Sequence, residues 1–218
     1  MPEPTDSRRL IVIPAAITLA VTLLRLTGEL LHWSPTLFNP AAGGGGALIG
    51  IAWLVPVFGV YFGISLARSG GGPQRVGVGF GLVILALALV PLAGLAASAL
   101  GVNPQSLSTL LVFVVASVVA VPVAMRAWPE LGRTLLVYSL AARIPVALVM
   151  LFAIFGNWGT HYDVPPPGFP AMGPLAKWFW IGLMPQLTIW IAYTVVIGGL
   201  FGLGAGALAS RRRAAASR

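Results

Sequence analysis

The chain has 218 residues, of which 58% are apolar and only 8% are charged, and its mean hydropathy is +0.94. A soluble domain carries about 25% charged residues, so this composition excludes a soluble enzyme and a disordered chain. It predicts an all-α, polytopic integral membrane protein surrounded by membrane lipids. The formal net charge is +8, but the cations lie in short breaks between apolar segments. No basic groove with interleaved aromatic residues is present, so no nucleic-acid partner is expected.

Six apolar stretches are long enough to cross a bilayer, which takes about 20 residues. They form one predicted domain over residues 10–207, between an N-terminal tail (1–9) and a basic C-terminal tail (208–218). The first stretch imitates a signal peptide, but it continues without a small-residue cleavage site, which favours an uncleaved helix. Each span has a proline inside it or near its end, which predicts a bundle of kinked helices. The predicted spans are Leu10–Trp33, Ala47–Arg68, Val76–Gly101, Leu107–Arg126, Thr134–Gly156 and Leu175–Ala207.

The arginines predict how the chain is oriented in the membrane. Ten of the 13 basic residues fall on one side if the chain crosses six times, and only Lys177 lies near the membrane on the other side. Because basic residues concentrate on the cytoplasmic side, both termini are predicted to be cytoplasmic, in a multi-pass protein of the plasma (inner) membrane. The ten are Arg8, Arg9, Arg68, Arg75, Arg126, Arg133, Arg211, Arg212, Arg213 and Arg218.

The first span carries a polar stripe at spacings of four, three, four and three residues. This repeat places Thr18, Thr22, Arg25, Glu29 and His32 on one helix face. Charged groups at membrane depth are costly and face a bundle interior or a wet cavity. Arg25 and Glu29 are four residues apart, so we expect them to pair.

A second arginine at membrane depth, Arg143, has no acidic residue in its own predicted span. An unpaired arginine there costs about 2.5–3.5 kcal/mol on insertion scales. Three partners would lower that cost: carbonyl groups freed by a proline kink, a shared Glu29, or an anionic ligand. Packing between helices and snorkelling towards the cytoplasm are the alternatives that need no ligand.

The leading functional hypothesis is a polar pocket between the first, fifth and sixth spans that opens to the extracytoplasmic side. It would bind or transport a small anionic or amphiphilic, lipid-like molecule, with no cofactor expected. The candidate ligand-binding residues are Arg25, Glu29, His32, Arg143, Asn157, His161, Tyr162, Asp163 and Gln186.

Two alternatives remain open from the sequence. A membrane-embedded enzyme that acts on a lipid-like substrate would use His161 with Asp163, or His32 with Glu29, as acid–base groups. The same four residues are possible metal ligands, although no tight ligand spacing supports a metal. A structural or assembly protein would instead use the small-residue ridge of the sixth span for a homodimer; the ridge consists of Gly198, Gly202 and Gly206.

Overall fold

The computed structural model describes residues 7–216, with only the backbone at residues 7–9. The start of the predicted N-terminal tail and Arg218 therefore lie outside the described residues. Residues 7–216 are helical and loop segments without a strand. The long helices before the C-terminal stretch are α1 (Ser7–Leu30), α2 (Leu54–Arg68), α3 (Val76–Ala99), α4 (Leu107–Met125) and α5 (Pro129–Gly156).

Within residues 7–216, five helical stretches are long and apolar enough to cross a membrane, as the composition predicts for an integral membrane protein. The second predicted span, Ala47–Arg68, differs. Its helix begins only at Leu54 and has 15 residues, which at 1.5 Å per residue gives about 22 Å, short of the roughly 30 Å hydrocarbon core. The preceding backbone folds back instead, because the amides of Leu48 and Ile49 donate to the carbonyls of Thr36 and Leu37. A count of six complete spans is therefore not confirmed.

The C-terminal stretch is broken, although the sequence predicts one continuous span over Leu175–Ala207. It comprises α6 (Pro174–Lys177), a π-helical segment (Trp178–Leu183), α7 (Met184–Leu187) and α8 (Ile189–Ala216). Thr188, between α7 and α8, has non-helical angles of φ −128° and ψ −73°. Helix α8 also continues past the predicted boundary at residue 207. Interrupted helices of this kind are frequent at functional sites.

Helix α8 is the centre of the bundle and packs against α2, α3, α4 and α5, whereas α1 packs mainly on α5. The α2–α8 contact is nearly backbone to backbone. A Cβ atom added at Gly202 would lie 2.7 Å from the carbonyl oxygen of Gly59, and the small residues permit this approach. Helix α2 thus covers Gly198 and Gly202 within one chain, so a homodimer through this ridge would require α2 to move away.

Two ends of the bundle can be distinguished. One end, which we call the loop end, is formed by three loops: residues 31–53, 100–106 and 157–173. At this end Glu29 contacts His161, which lies 132 positions away in the sequence. At the opposite, arginine-rich end, Arg213 Nη1 donates to the carbonyl oxygen of Arg68 at 2.8 Å. The loop end is the one to which the sequence assigns an extracytoplasmic location.

Candidate functional site

A cavity of about 590 Å³ lies at the loop end of the bundle, within the roughly 300–1,000 Å³ typical of small-molecule sites. Its walls come from α1, α4, α5 and the broken C-terminal stretch, together with all three loops of this end. Among the described residues, both charged side chains that line it are arginines and no carboxylate does. The polar lining comprises Thr22, Arg25, Gln105, Ser106, Thr109, Arg143, His161 and Gln186; large apolar or aromatic walls include Trp53, Phe113, Met150, Tyr162, Trp180 and Trp190.

The predicted polar face of α1 is confirmed for four of its five members. The exposed fractions of Thr18, Thr22, Arg25 and Glu29 are 1%, 2%, 7% and 3%. His32 does not join them, because α1 ends at Leu30 and the chain turns there. His32 has a left-handed φ of 51°, is exposed and does not line the cavity.

Arg25 forms the predicted ion pair and also binds the backbone of the first loop, residues 31–53. Its Nε donates to Glu29 Oε1 at 2.8 Å, and its Nη2 donates to the carbonyl oxygens of Asn39 and Gly44 at 3.2 and 3.0 Å. Gly44 has a φ of +69°, and a Cβ there would lie 3.0 Å from Arg25 Nη2. Glycine is therefore the residue that lets the backbone approach the guanidinium this closely.

Glu29 also binds His161 through two hydrogen bonds. The distance from His161 Nδ1 to Glu29 Oε1 is 2.6 Å, and the His161 amide donates to Oε2 at 2.9 Å. Because the carboxylate accepts, the neutral ring carries its proton on Nδ1, which leaves Nε2 as an acceptor at the cavity wall. Burial lowers the pKa of His161 below its ordinary value, although the hydrogen bond to Glu29 acts in the opposite direction. The imidazole is accordingly neutral near pH 7.

Arg143 is the buried cation without a partner. It is 3% exposed, and its guanidinium carbon lies 4.7 Å from the centre of the Trp190 ring. Its Nε is buried without a hydrogen-bond partner, and the described residues offer the side chain no ion pair. Glu29 is engaged with Arg25 and His161 instead. Of the remedies considered from the sequence, neither a shared Glu29 nor a freed carbonyl is present.

Gln186 is a second unsatisfied polar group that lines the same cavity. Its Oε1 is buried without a partner, and its Nε2 contacts only the thioether of Met150, at 3.7 Å. A sulfur atom is a weak acceptor. Pro185 and Gln186 lie in α7, next to the break at Thr188, and both line the cavity. The irregular helix therefore places at the cavity an amide side chain whose hydrogen-bonding groups the protein itself leaves unsatisfied.

The remaining predicted residues have other positions. Tyr162 lines the cavity, and its hydroxyl donates to the carbonyl oxygen of Thr22 at 3.2 Å; burial raises its pKa, so the phenol stays neutral. Asp163 accepts from the amides of Gly159 and Thr160 at 2.9 and 2.7 Å, which fixes the loop rather than the cavity wall. Asn157 ends α5 in a left-handed conformation with φ 49°, exposed and away from the cavity.

Of the four alternative metal ligands, Glu29 and His161 contact each other, whereas His32 and Asp163 have other surroundings. Within residues 7–216, no group of three His, Asp or Glu side chains is placed to hold a metal ion. Glu29 binds Arg25 and His161, Asp163 binds its own loop, and His32 is exposed. We therefore assign no metal-binding role to these residues.

Sequence reasoning missed the contributions of the first loop and of the start of α4. Gly44 and Gly50 line the cavity beside Arg25, and Gln105 and Thr109 line it as well. The glycine run at 43–46 predicts only a flexible turn, and nothing in the sequence pairs it with Arg25. The signal that could have indicated its role is the length of the first loop (residues 31–53), since long loops in compact domains are often functional.

Comparisons with protein-family models, curated proteins and solved structures give no match. The class of the protein is thus defined by its own fold: an integral membrane protein that is all-helical over the described residues, with five candidate membrane spans among them.

Proposed function

We propose that the protein binds, and in a transport role would carry, a small amphiphilic anion in the cavity at the loop end. The ligand class is a carboxylate, phosphate or sulfonate group on an apolar chain. The single observation that carries the proposal is Arg143, a guanidinium that is 3% exposed and lines a cavity without an acidic partner. We further propose that this end faces the extracytoplasmic side of the plasma membrane, with both termini in the cytoplasm.

The energetics of Arg143 support an anionic ligand. An arginine at the centre of a membrane helix costs about 2.5–3.5 kcal/mol on insertion scales. Stacking on Trp190 contributes on the order of 2 kcal/mol for a desolvated pair. Hydrogen bonds to charged groups contribute about 1.5–3 kcal/mol each, so a bound anion would offset the remainder. The unsatisfied amide of Gln186 is available to the same ligand.

The cavity walls favour an amphiphile over a bare inorganic anion. Apolar and aromatic side chains such as Phe113, Met150 and Trp180 line the cavity together with the two arginines. An apolar chain against these walls removes area from water, at about 25 cal/mol per Å². The anionic headgroup would bind the polar groups of this cavity, with Arg143 as its charged partner and with Gln186 and His161 as further polar residues of the same lining.

A binding titration tests this proposal with a defined probe set. The protein is reconstituted in phosphatidylcholine nanodiscs, and native mass spectrometry counts adducts of decanesulfonate, inorganic sulfate and decanol. We expect decanesulfonate to bind most tightly, and Arg143→Gln to weaken it by about 10- to 100-fold, since 1.4 kcal/mol is a factor of ten. Arg133→Gln is the matched control, because Arg133 is an exposed residue of the same helix.

Each other result has a defined meaning. Equal binding by Arg143→Gln and the wild type would contradict the proposal. Sulfate binding as tightly as decanesulfonate would mean an inorganic-anion site, and decanol binding as tightly would mean an apolar cavity in which charge has no role.

A second candidate function rests on the Glu29–His161 pair. A carboxylate that orients an imidazole, with the second ring nitrogen at a cavity wall, is the arrangement of a general base. An enzyme of this kind would use His161 Nε2 to take a proton from water, which attacks an ester; the alkoxide leaves with that proton. The test is hydrolysis of decanoyl lysophosphatidic acid to decanoate and glycerol phosphate. Hydrolysis that His161→Gln abolishes would favour the enzyme, and a stable bound ester would favour the binding protein.

A further inference from the structure

His161 presents a hydrogen-bond acceptor, not a donor, to the cavity. Its Nδ1 is used by Glu29 at 2.6 Å, and the other edge of the ring lies beside Gly44, where an added Cβ would be 3.3 Å from Nε2. The side chain is 15% exposed, and Nε2 has no hydrogen-bond partner among the described residues. An anion that approaches this edge of the ring in the cavity therefore meets a lone pair at Nε2.

That arrangement penalises the anion unless the ring gains a proton. Two acceptors facing each other repel, whereas an Nε2–H group donates a charge-assisted hydrogen bond, about twice as strong as a neutral one. The charged and titratable groups around His161 are Glu29 and Arg25 from α1, and Asp163 and Tyr162 from its own loop. Glu29, with its side chain 0% exposed, already contacts Nδ1 and would stabilise the imidazolium.

We propose that the cavity takes up its anion together with one proton, which His161 holds on the nitrogen that faces the ligand. This inference rests on the proposed anion binding and names the proton as the second ligand of the same site. The proton balance is simple: the empty site has a neutral imidazole, and the occupied site pairs an imidazolium with the anion. Arg25 limits the rise of the His161 pKa, because its positive charge opposes protonation of the imidazole. Its hydrogen bond to Glu29 also competes with His161 for the carboxylate.

The coupling between anion binding and protonation of His161 has a defined size. When binding takes up one proton, the association constant rises about tenfold for each unit of pH decrease, between the pKa of His161 in the empty site and its pKa in the occupied site. The empty-site pKa is lowered by burial, and an adjacent anion raises the occupied-site pKa. The steep range therefore begins below the ordinary imidazole pKa of about 6.5 and ends at the higher pKa of the occupied site.

Calorimetry with decanesulfonate tests the inference directly. A sulfonate stays ionised from pH 5 to 8, so any proton taken up must go to the protein. Titrations in two buffers of different ionisation enthalpy, at pH 6, 7 and 8, count that proton. We expect close to one proton per anion at pH 7 and an affinity that rises about tenfold per unit of pH decrease. His161→Gln should remove both effects, whereas the exposed His32→Gln should keep both.

A second measurement does not depend on the folding of His161→Gln. The chain has two histidines, so the variant His32→Gln keeps His161 as the sole imidazole. When decanesulfonate is added at pH 7, the NMR signals of the two ring nitrogens should change from those of a neutral imidazole to those of an imidazolium. Binding without proton uptake, or uptake that persists in His161→Gln, would overturn this inference but leave the proposed function standing. No binding of decanesulfonate at any pH would instead overturn the proposed function.

Discussion

Replacing Glu29 with glutamine should destabilise the protein more than any exposed charge change. The Glu29 side chain is 0% exposed and accepts from Arg25 Nε at 2.8 Å, from His161 Nδ1 at 2.6 Å and from the His161 amide at 2.9 Å. Breaking a buried pair by removing one partner costs about 3–5 kcal/mol, because the other charge remains buried and uncompensated. Glutamine keeps the shape and one carbonyl acceptor, so we expect a loss of about 3 kcal/mol.

The assay is unfolding in mixed micelles with increasing dodecyl sulfate, followed by tryptophan fluorescence. Glu130→Gln is the matched control, because Glu130 is an exposed residue in the first turn of α5, and it should lose at most about 1 kcal/mol. The double change Arg25→Met with Glu29→Met should be less damaging than Glu29→Gln alone, since no charge is left unpaired. A loss of only about 0–1 kcal/mol for Glu29→Gln, the value of an exposed pair, would refute the reasoning.

Four further outcomes follow from the helix packing, from a buried hydrogen bond and from the titration of His161. Gly202→Ala should cost about 1–3 kcal/mol of unfolding free energy by overpacking, since its Cβ would meet the Gly59 carbonyl at 2.7 Å. Gly199→Ala, with open space at its Cβ position, should be neutral or stabilising in the same unfolding assay. Tyr138→Phe should cost about 0.5–1.5 kcal/mol through loss of the 2.8 Å hydrogen bond to Thr18; no change would contradict that bond. Because the pKa of His161 is lowered in the folded state, the unfolded chain binds its proton first, so stability without ligand should fall as the pH drops below about 6.5. Melting temperatures from pH 8 to 5 measure this effect, and an unchanged slope in His161→Gln would contradict it.

The sequence predicted those features that depend on local spacing. The repeat along α1 predicted a buried face, and the four-residue separation of Arg25 and Glu29 predicted their ion pair; both are confirmed. The lack of an acidic residue in the span of Arg143 also identified the buried cation without an ion pair. Periodicity and spacing are sufficient here because helix geometry alone fixes which side chains share a face.

The features that the sequence did not predict depend on contacts between distant segments. Nothing local pairs Glu29 with His161, which lies 132 positions away. The π-helical turn is held in part by Trp178 Nε1, which donates to the carbonyl of Ala147 at 2.8 Å, so Pro185 alone could not predict it. The late start of α2 likewise comes from loop hydrogen bonds to Thr36 and Leu37.

The central claim, that Arg143 holds an anion, is tested most directly by the ligand that the protein retains on purification. Native mass spectrometry of the protein released from membranes in mild detergent should reveal an adduct whose fragments contain an anionic headgroup and an apolar chain. We expect Arg143→Gln to lose this adduct and Arg133→Gln to keep it. An adduct that Arg143→Gln retains in full, or failure of the wild type to bind any anion even with decanesulfonate added, would contradict the account.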